Sequence, residues 1–203
     1  MDLNHQEIPT KSPAEAKQLL VEGNERFVSG AILKNNQGDV RRKELFEAGQ
    51  HPFAVVITCS DSRVPPELIF DQGLGDLFVV RVAGNVMDEI AMGSVEYGVE
   101  HLRTPLVVVM GHEKCGAVKA TVDEEEAPGS IGAIAAKIRP SVDKAKLDGA
   151  TGSDLYEKAT DENILVTMAE IKNSPVVKHL LSQGNLEIIG AKYHLQSGKV
   201  TFM

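Results

Sequence analysis

Two short clusters carry most of the chemical potential of this sequence: Cys59-Ser-Asp-Ser-Arg63 and, further along the chain, His112-Glu-Lys-Cys115. Cys59 and Cys115 are its only cysteines. Two thiols cannot build a disulfide framework, and in a reducing compartment they serve packing, metal binding or catalysis. A single buried cysteine is ordinarily a small hydrophobe, and a single histidine a hydrogen-bonded bystander. Here, however, an imidazole and a thiol stand three residues apart, a spacing that one helical turn brings within chelating reach. Two sulfurs and one ring nitrogen form a donor set that suits zinc. Cys59, His112 and Cys115 are therefore the candidate metal ligands, with Zn2+ as the expected cofactor. Three protein ligands leave a tetrahedral ion one position for solvent, which separates catalytic from structural zinc. Asp61 decides between the two. If its carboxylate joins the metal as a fourth ligand, the cage closes and no hydroxide forms; if Arg63 holds it aside, the site stays open. Alternate positions in an extended segment would put Cys59, Asp61 and Arg63 on one side. The plain alternative for Asp61 and Arg63 is an exposed ion pair of little weight.

The elements that must position these residues show as changes of period. Phe53 to Thr58, Leu77 to Val82 and Pro105 to Met110 are short, nearly unbroken apolar runs rich in β-branched residues, the pattern of strands buried on both faces. Between the last two, Asp88 to Arg103 reads as a helix with Ile90, Val95, Tyr97 and Leu102 available for burial. Ser12, Pro13 and Glu15 make an N-cap, a first-turn proline and a capping-box acid, predicting a helix that runs to Gly30. A second helix follows over roughly Val40 to Ala48. Gly129 to Lys146, Asp154 to Lys172 and Ser174 to Ser182 are further helical stretches. Leu186 to Ile189 is apolar, and Lys192 to Leu195 with Val200 to Phe202 predicts a terminal hairpin at a sheet edge. Strands alternating with helices favour a parallel sheet covered on both sides. The expected fold is α/β, in three α/β/α layers, with a mostly parallel central sheet, an antiparallel edge strand and an N-terminal helical arm. One domain is expected over 1–203, with the arm at 1–50 and the core at 51–203. Cys59 follows the first strand and His112 follows the third, so all three ligands fall on the carboxyl edge of the sheet, where such folds bind ligands.

Composition removes several other functions. The chain has 203 residues, 42% of them hydrophobic and 25% charged, within the range of folded globular domains. Its net charge of −8 opposes nucleic acid and anionic membranes. The longest uninterrupted apolar run, as in Leu106 to Met110, has five residues, where a membrane-spanning helix needs roughly 20. Met1 to Lys11 is polar and lacks the pattern of a secretory signal, so a cytoplasmic protein is expected. Asp123 to Glu126 reads as a solvated charge run. The glycines Gly73, Gly75, Gly129 and Gly132 make neither a dinucleotide fingerprint nor a phosphate loop.

The Cys-Ser-Asp-Ser-Arg motif at 59–63, followed by Gly-His-x-x-Cys-Gly at 111–116, resembles the β-class carbonic anhydrases. The likeness runs from about Ser12 to Val200 and includes Glu22 to Phe27, Arg81 to Asn85 and Gly190 to Lys199. It implies zinc on Cys59, His112 and Cys115, the dyad Asp61 and Arg63 beside the metal-bound solvent, and reversible hydration of carbon dioxide to bicarbonate by a zinc-bound hydroxide. It also implies Gln50 as a substrate-binding amide and Phe78, Ala83 and Tyr97 as the wall of a carbon dioxide pocket. A homodimer or homotetramer is expected, with sheets joined edge to edge, N-terminal helices wrapped around the partner, and pocket residues shared between subunits. Some bacterial members hold an inhibitory bicarbonate with a Trp, an Arg and a Tyr. Arg81 and Tyr193 match, but Val56 stands at the Trp position, which argues against that regulation and for an open, water-bound metal. Two alternatives keep the same ligands: a hydrolase of carbon disulfide or carbonyl sulfide, and a noncatalytic module with zinc closed by Asp61.

Overall fold

The computed structural model describes residues 11–34, 36–123 and 127–203. Residues 1–10 and 124–126, and with them most of the polar N-terminus and of the acidic run, lie outside the described residues. Helix α1 (Pro13–Ser29) starts as its residues dictate: Ser12 Oγ accepts from the Glu15 amide, while the Glu15 carboxylate accepts from the Ser12 amide. Gly30, with φ 74°, ends it in the left-handed conformation. Helix α2 (Asp39–Ala48) contains no buried residue.

Among the described residues five strands form one sheet: β1 (Ala54–Thr58), β2 (Leu77–Arg81), β3 (Leu106–His112), β4 (Glu187–Tyr193) and β5 (Val200–Phe202). Their order is β2-β1-β3-β4-β5, parallel throughout except for β5, which runs antiparallel to β4. Alternation along the strands divides the core. Ala54, Val56, Leu106, Val108 and Met110 pack with Leu20 of α1 and with Ile69 of α3 (Pro66–Ile69). Val55, Ile57, Val107 and Val109 face the other way. There they meet Val95 of α4 (Glu89–Glu96), Ile164 and Ile171 of α7 (Gly152–Asn173), and Val177 of α8 (Pro175–Ser182). Helices thus cover both faces, and the α/β expectation holds.

This strand order has a functional consequence. From β1 the chain passes outward to β2, then returns across β1 to place β3 on the opposite side, so connections diverge above the β1–β3 boundary. That divergence opens a crevice at the carboxyl ends of β1 and β3. Helices α5 (Gly116–Asp123) and α6 (Ile131–Leu147) roof it, with Val118, Ile138 and Val142 packing against Cys59 and Cys115.

Three expectations need correction. The predicted helix over Asp88 to Arg103 closes as α4 at Glu96, and Tyr97–His101 continues as a wider turn in which Leu102 N–H reaches the Tyr97 carbonyl. Ile90 and Tyr97, expected inside, are 78% and 48% exposed, whereas Val95 is buried. Both stand near the β2 edge of the sheet, which lacks a neighbouring strand among the described residues. The apolar stretch from Leu186 and the stretch ending at Leu195 are one strand, β4, running through Gly190. A Cβ there would stand 3.0 Å from Ile164 Cγ2 and Met168 Sδ, so this glycine serves the close approach of α7 and does not end the strand.

Candidate metal centre

Cys59 directly follows β1, His112 is the last residue of β3, and Cys115 precedes α5. Thr58 Oγ1 donates to the Met110 carbonyl at 2.9 Å, tying the two strand ends together. The ligand-bearing segments are not built as their spacing suggested. The segment from Cys59 does not run extended through Arg63: Ser62 and Arg63 form a turn, closed by Val64 N–H on the Asp61 carbonyl at 3.0 Å. The step from His112 to Cys115 is likewise a tight turn with Lys114 at φ 51°, not a helical one. The outcome is nonetheless chelating geometry: one donor atom from each of Cys59, His112 and Cys115 lies within 4.8 Å of the others.

The donors fit zinc. Tetrahedral Zn–S bonds of about 2.3 Å place two sulfurs about 3.8 Å apart, and Cys59 Sγ and Cys115 Sγ are 4.0 Å apart. His112 Nδ1 is 2.8 Å from the Glu113 carbonyl oxygen. That oxygen only accepts, so Nδ1 carries the proton and Nε2 keeps its lone pair. Nε2 is buried with no hydrogen-bond partner among the described residues. An orphaned buried acceptor beside two sulfurs is explained by a cation between them.

The electrostatics prepare the same event. The two thiols titrate as a pair: hydrogen bonding from Cys115 favours the Cys59 thiolate, against burial, and the amide N–H of Gly84 adds to it at 3.2 Å. Cys115 is pushed up, first because its proton serves Cys59 and then by burial. Burial lowers the pKa of His112, but the neighbouring Cys59 sulfur and its thiolate charge outweigh burial and raise it. A divalent ion held by these three residues would replace the shared protons.

Asp61 sits at the rim. Arg63 binds its carboxylate three times, from the backbone N–H and Nε to Oδ1 at 2.9 Å each and from Nη2 to Oδ2 at 2.7 Å. These bonds, opposed by partial burial, lower its pKa to about 2. Oδ2 remains 3.9 Å from His112 Nε2, and Asp61 is not part of the three-donor group. Arg81, unassigned by spacing alone, steadies the loop from β2, donating to the carbonyls of Cys59 at 3.1 Å and Asp61 at 2.6 Å.

The four pocket candidates do not converge within one chain. Ala83 opens the short turn Ala83–Asn85, whose Gly84 N–H reaches Cys59. Phe78 and Tyr97 pair with ring centroids 6.1 Å apart, but they line a separate cleft of about 500 Å³ with Glu89, Ile90, Gly93, Ser94 and Glu96. Gln50 is exposed just beyond α2. Sequence reasoning passed over Gly84 as a donor; the Gly84-Asn85 pair, a turn dipeptide, was the available signal.

Comparison with known proteins agrees with this geometry. The family model described as carbonic anhydrase matches residues 54–200. The chain is 43% identical over 198 residues to a carbonic anhydrase of Mycolicibacterium smegmatis, covering 95% of this chain and 94% of that one. It is 41% identical over 197 residues to carbonic anhydrase 2 of Mycobacterium tuberculosis, covering 95% and 93%. Among solved structures, the β-carbonic anhydrase CcaA superposes with a TM-score of 0.74 at 30% identity, over 92% of this chain and 94% of that one. A Coccomyxa β-carbonic anhydrase in complex with acetazolamide gives the same TM-score and identity over 90% and 83%.

Proposed function

The chain belongs to the β-class carbonic anhydrases, zinc lyases that hydrate carbon dioxide, and from that premise we propose how its own residues divide the work. Cys59, His112 and Cys115 hold the metal, and Asp61 with Arg63 forms the catalytic dyad beside it. One observation carries this reading: Asp61, the side chain that would close the cage, is fastened by three hydrogen bonds to Arg63 and stands outside the donor group. Asp61 therefore would not complete a four-ligand cage.

When bound, zinc acidifies a coordinated water so that it can attack carbon dioxide. With its pKa held near 2 the Asp61 carboxylate is ionised at working pH and can only accept, so Oδ2 would take a hydrogen bond from solvent beside the three ligands and orient it. Arg63 keeps Oδ2 in register, and Arg81 fixes the loop that carries it. Carbon dioxide is small and apolar, needing an apolar wall and one orienting donor. Ala83 supplies wall from the same chain, while Phe78, Tyr97 and the Gln50 amide come from a neighbouring subunit. The surface supports such sharing: α2 has no buried residue, its Phe46 is 91% exposed, and β2 has a free edge among the described strands. The assembly is a homodimer or homotetramer, and free thiols as metal ligands suit the reducing cytoplasm. Among the described residues no helix is long and apolar enough to cross a membrane.

Asp61→Asn tests the assignment. Retained zinc and fold with carbon dioxide hydration cut by two or more orders of magnitude is the expected result. Loss of zinc would instead make Asp61 a structural ligand, and turnover of carbon disulfide by the parent protein without carbon dioxide hydration would reassign the substrate.

A further inference from the structure

Cys59 owes its hydrogen bond to a turn that does not hold itself. Gly84 and Asn85 are consecutive left-handed residues, with φ 72° and 46°. Glycine visits that region without steric cost, and for the same reason it sets no direction for its own amide. The turn is wedged under the roof: a Cβ on Gly84 would stand 2.7 Å from Ile138 Cδ1 and 3.1 Å from Ala117 Cβ. Its carbonyls are cut off from water and need partners. Both partners come from one face of α7, four residues apart. Asn163 Nδ2 donates to the Gly84 carbonyl at 2.7 Å, and Thr167 Oγ1 donates to the Asn85 carbonyl at 3.2 Å. Asn163 and Thr167 are 2% and 1% exposed, so no solvent competes for these bonds.

We infer that Asn163, assisted by Thr167, is a positioning residue for the metal centre, acting through the Gly84 amide on the sulfur of Cys59. This deepens the zinc reading above and rests on it. Clamping the Gly84 carbonyl fixes that residue's dihedrals, and with them the aim of its N–H at Sγ, 3.2 Å away. An N–H directed at a thiolate draws charge from the sulfur lone pair and orients it. Outer partners of this kind typically change metal affinity by about 10–100-fold when removed. A purely structural role would loosen the turn without altering the sulfur's electronic state.

The test uses the full-length protein loaded with Co2+, whose cysteinate-to-cobalt charge-transfer band reads the sulfur directly, together with zinc retention against a chelator. Asn163→Ala is expected to shift the band to longer wavelength, because the sulfur lone pair rises when its donor is lost, and to weaken zinc retention by about tenfold or more. Thr167→Val should move the band the same way by less, and it serves as the deciding variant if Asn163→Ala does not fold. Ser141→Ala removes another buried hydroxyl, one with no hydrogen-bond partner among the described residues, and should leave the band in place. An unmoved band in a folded Asn163→Ala protein, or an equal shift in Ser141→Ala, overturns the inference alone. Absence of any cysteinate-to-cobalt band in the parent protein overturns the zinc reading with it.

Discussion

Gly111 shows how closely the metal centre depends on the packing beneath it. It immediately precedes His112 in β3, and a Cβ placed on it would lie 2.8 Å from both Cδ1 and Cγ1 of Ile164 and 3.4 Å from Thr160 Cγ2. Carbon atoms pack comfortably at about 3.5 Å or more, so Gly111→Ala must drive two Ile164 carbons back by about 0.7 Å. Ile164 is fully buried between α7 and the sheet and has nowhere to go. Overpacking of this kind costs about 1–3 kcal/mol, and in a chain of this length each kcal/mol lowers Tm by about 2–4 °C. Gly111→Ala should therefore lower Tm by about 2–12 °C, measured at fixed protein and zinc concentration because bound metal contributes to the apparent value. Ile164→Ala alone leaves a cavity and costs about 2–5 kcal/mol. In that background the added methyl meets space, and the Gly111→Ala penalty should vanish or reverse. A double mutant whose loss equals the sum of the single losses, within about 0.5 kcal/mol, would refute the steric argument.

Three further outcomes follow from the electrostatics and the surface. Asp61 has its pKa lowered to about 2, so its contribution to stability is fully present above the unfolded value near 3.8 and is lost only as pH falls through about 2. Zinc should leave first, as protons reclaim the thiolates and the imidazole in mild acid, with the dyad still ionised; zinc release that tracks Asp61 protonation instead would contradict this. Two thiolates cancel the metal's charge where three imidazoles do not, so carbon dioxide hydration should rise from pH 7 to 9, and a flat profile would count against it. Phe46→Asp, on the exposed face of α2, should shift the protein toward monomer in sedimentation and lower hydration in parallel, whereas an unchanged mass would remove α2 from the interface.

Much of this was legible in the sequence, and the reason is local. Nearly unbroken apolar runs rich in β-branched residues mark β1, β2 and β3, a capping box marks the start of α1, and ligands at or just after two strand ends fall on one sheet edge whatever the loops do. Elements shaped by distant neighbours were not legible. Gly190 looks like a break until α7 is seen lying against it, and the helix after Asp88 widens at Tyr97 as Gly98 closes on Val55. The site divides the same way. Residue type and spacing indicate Cys59, His112 and Cys115, whereas the support of Cys59 by Gly84, and of Gly84 by Asn163, depends on residues 25 and 79 positions apart. Periodicity assigned Tyr97 to the core; the fold puts it on the surface beside Phe78.

X-ray absorption at the zinc edge of the purified protein tests the central claim most directly. It should show one zinc per chain bound by two sulfurs at about 2.3 Å, one imidazole nitrogen at about 2.0–2.1 Å and one further light atom. A chain without zinc, or zinc with fewer than two sulfur neighbours, would contradict the account.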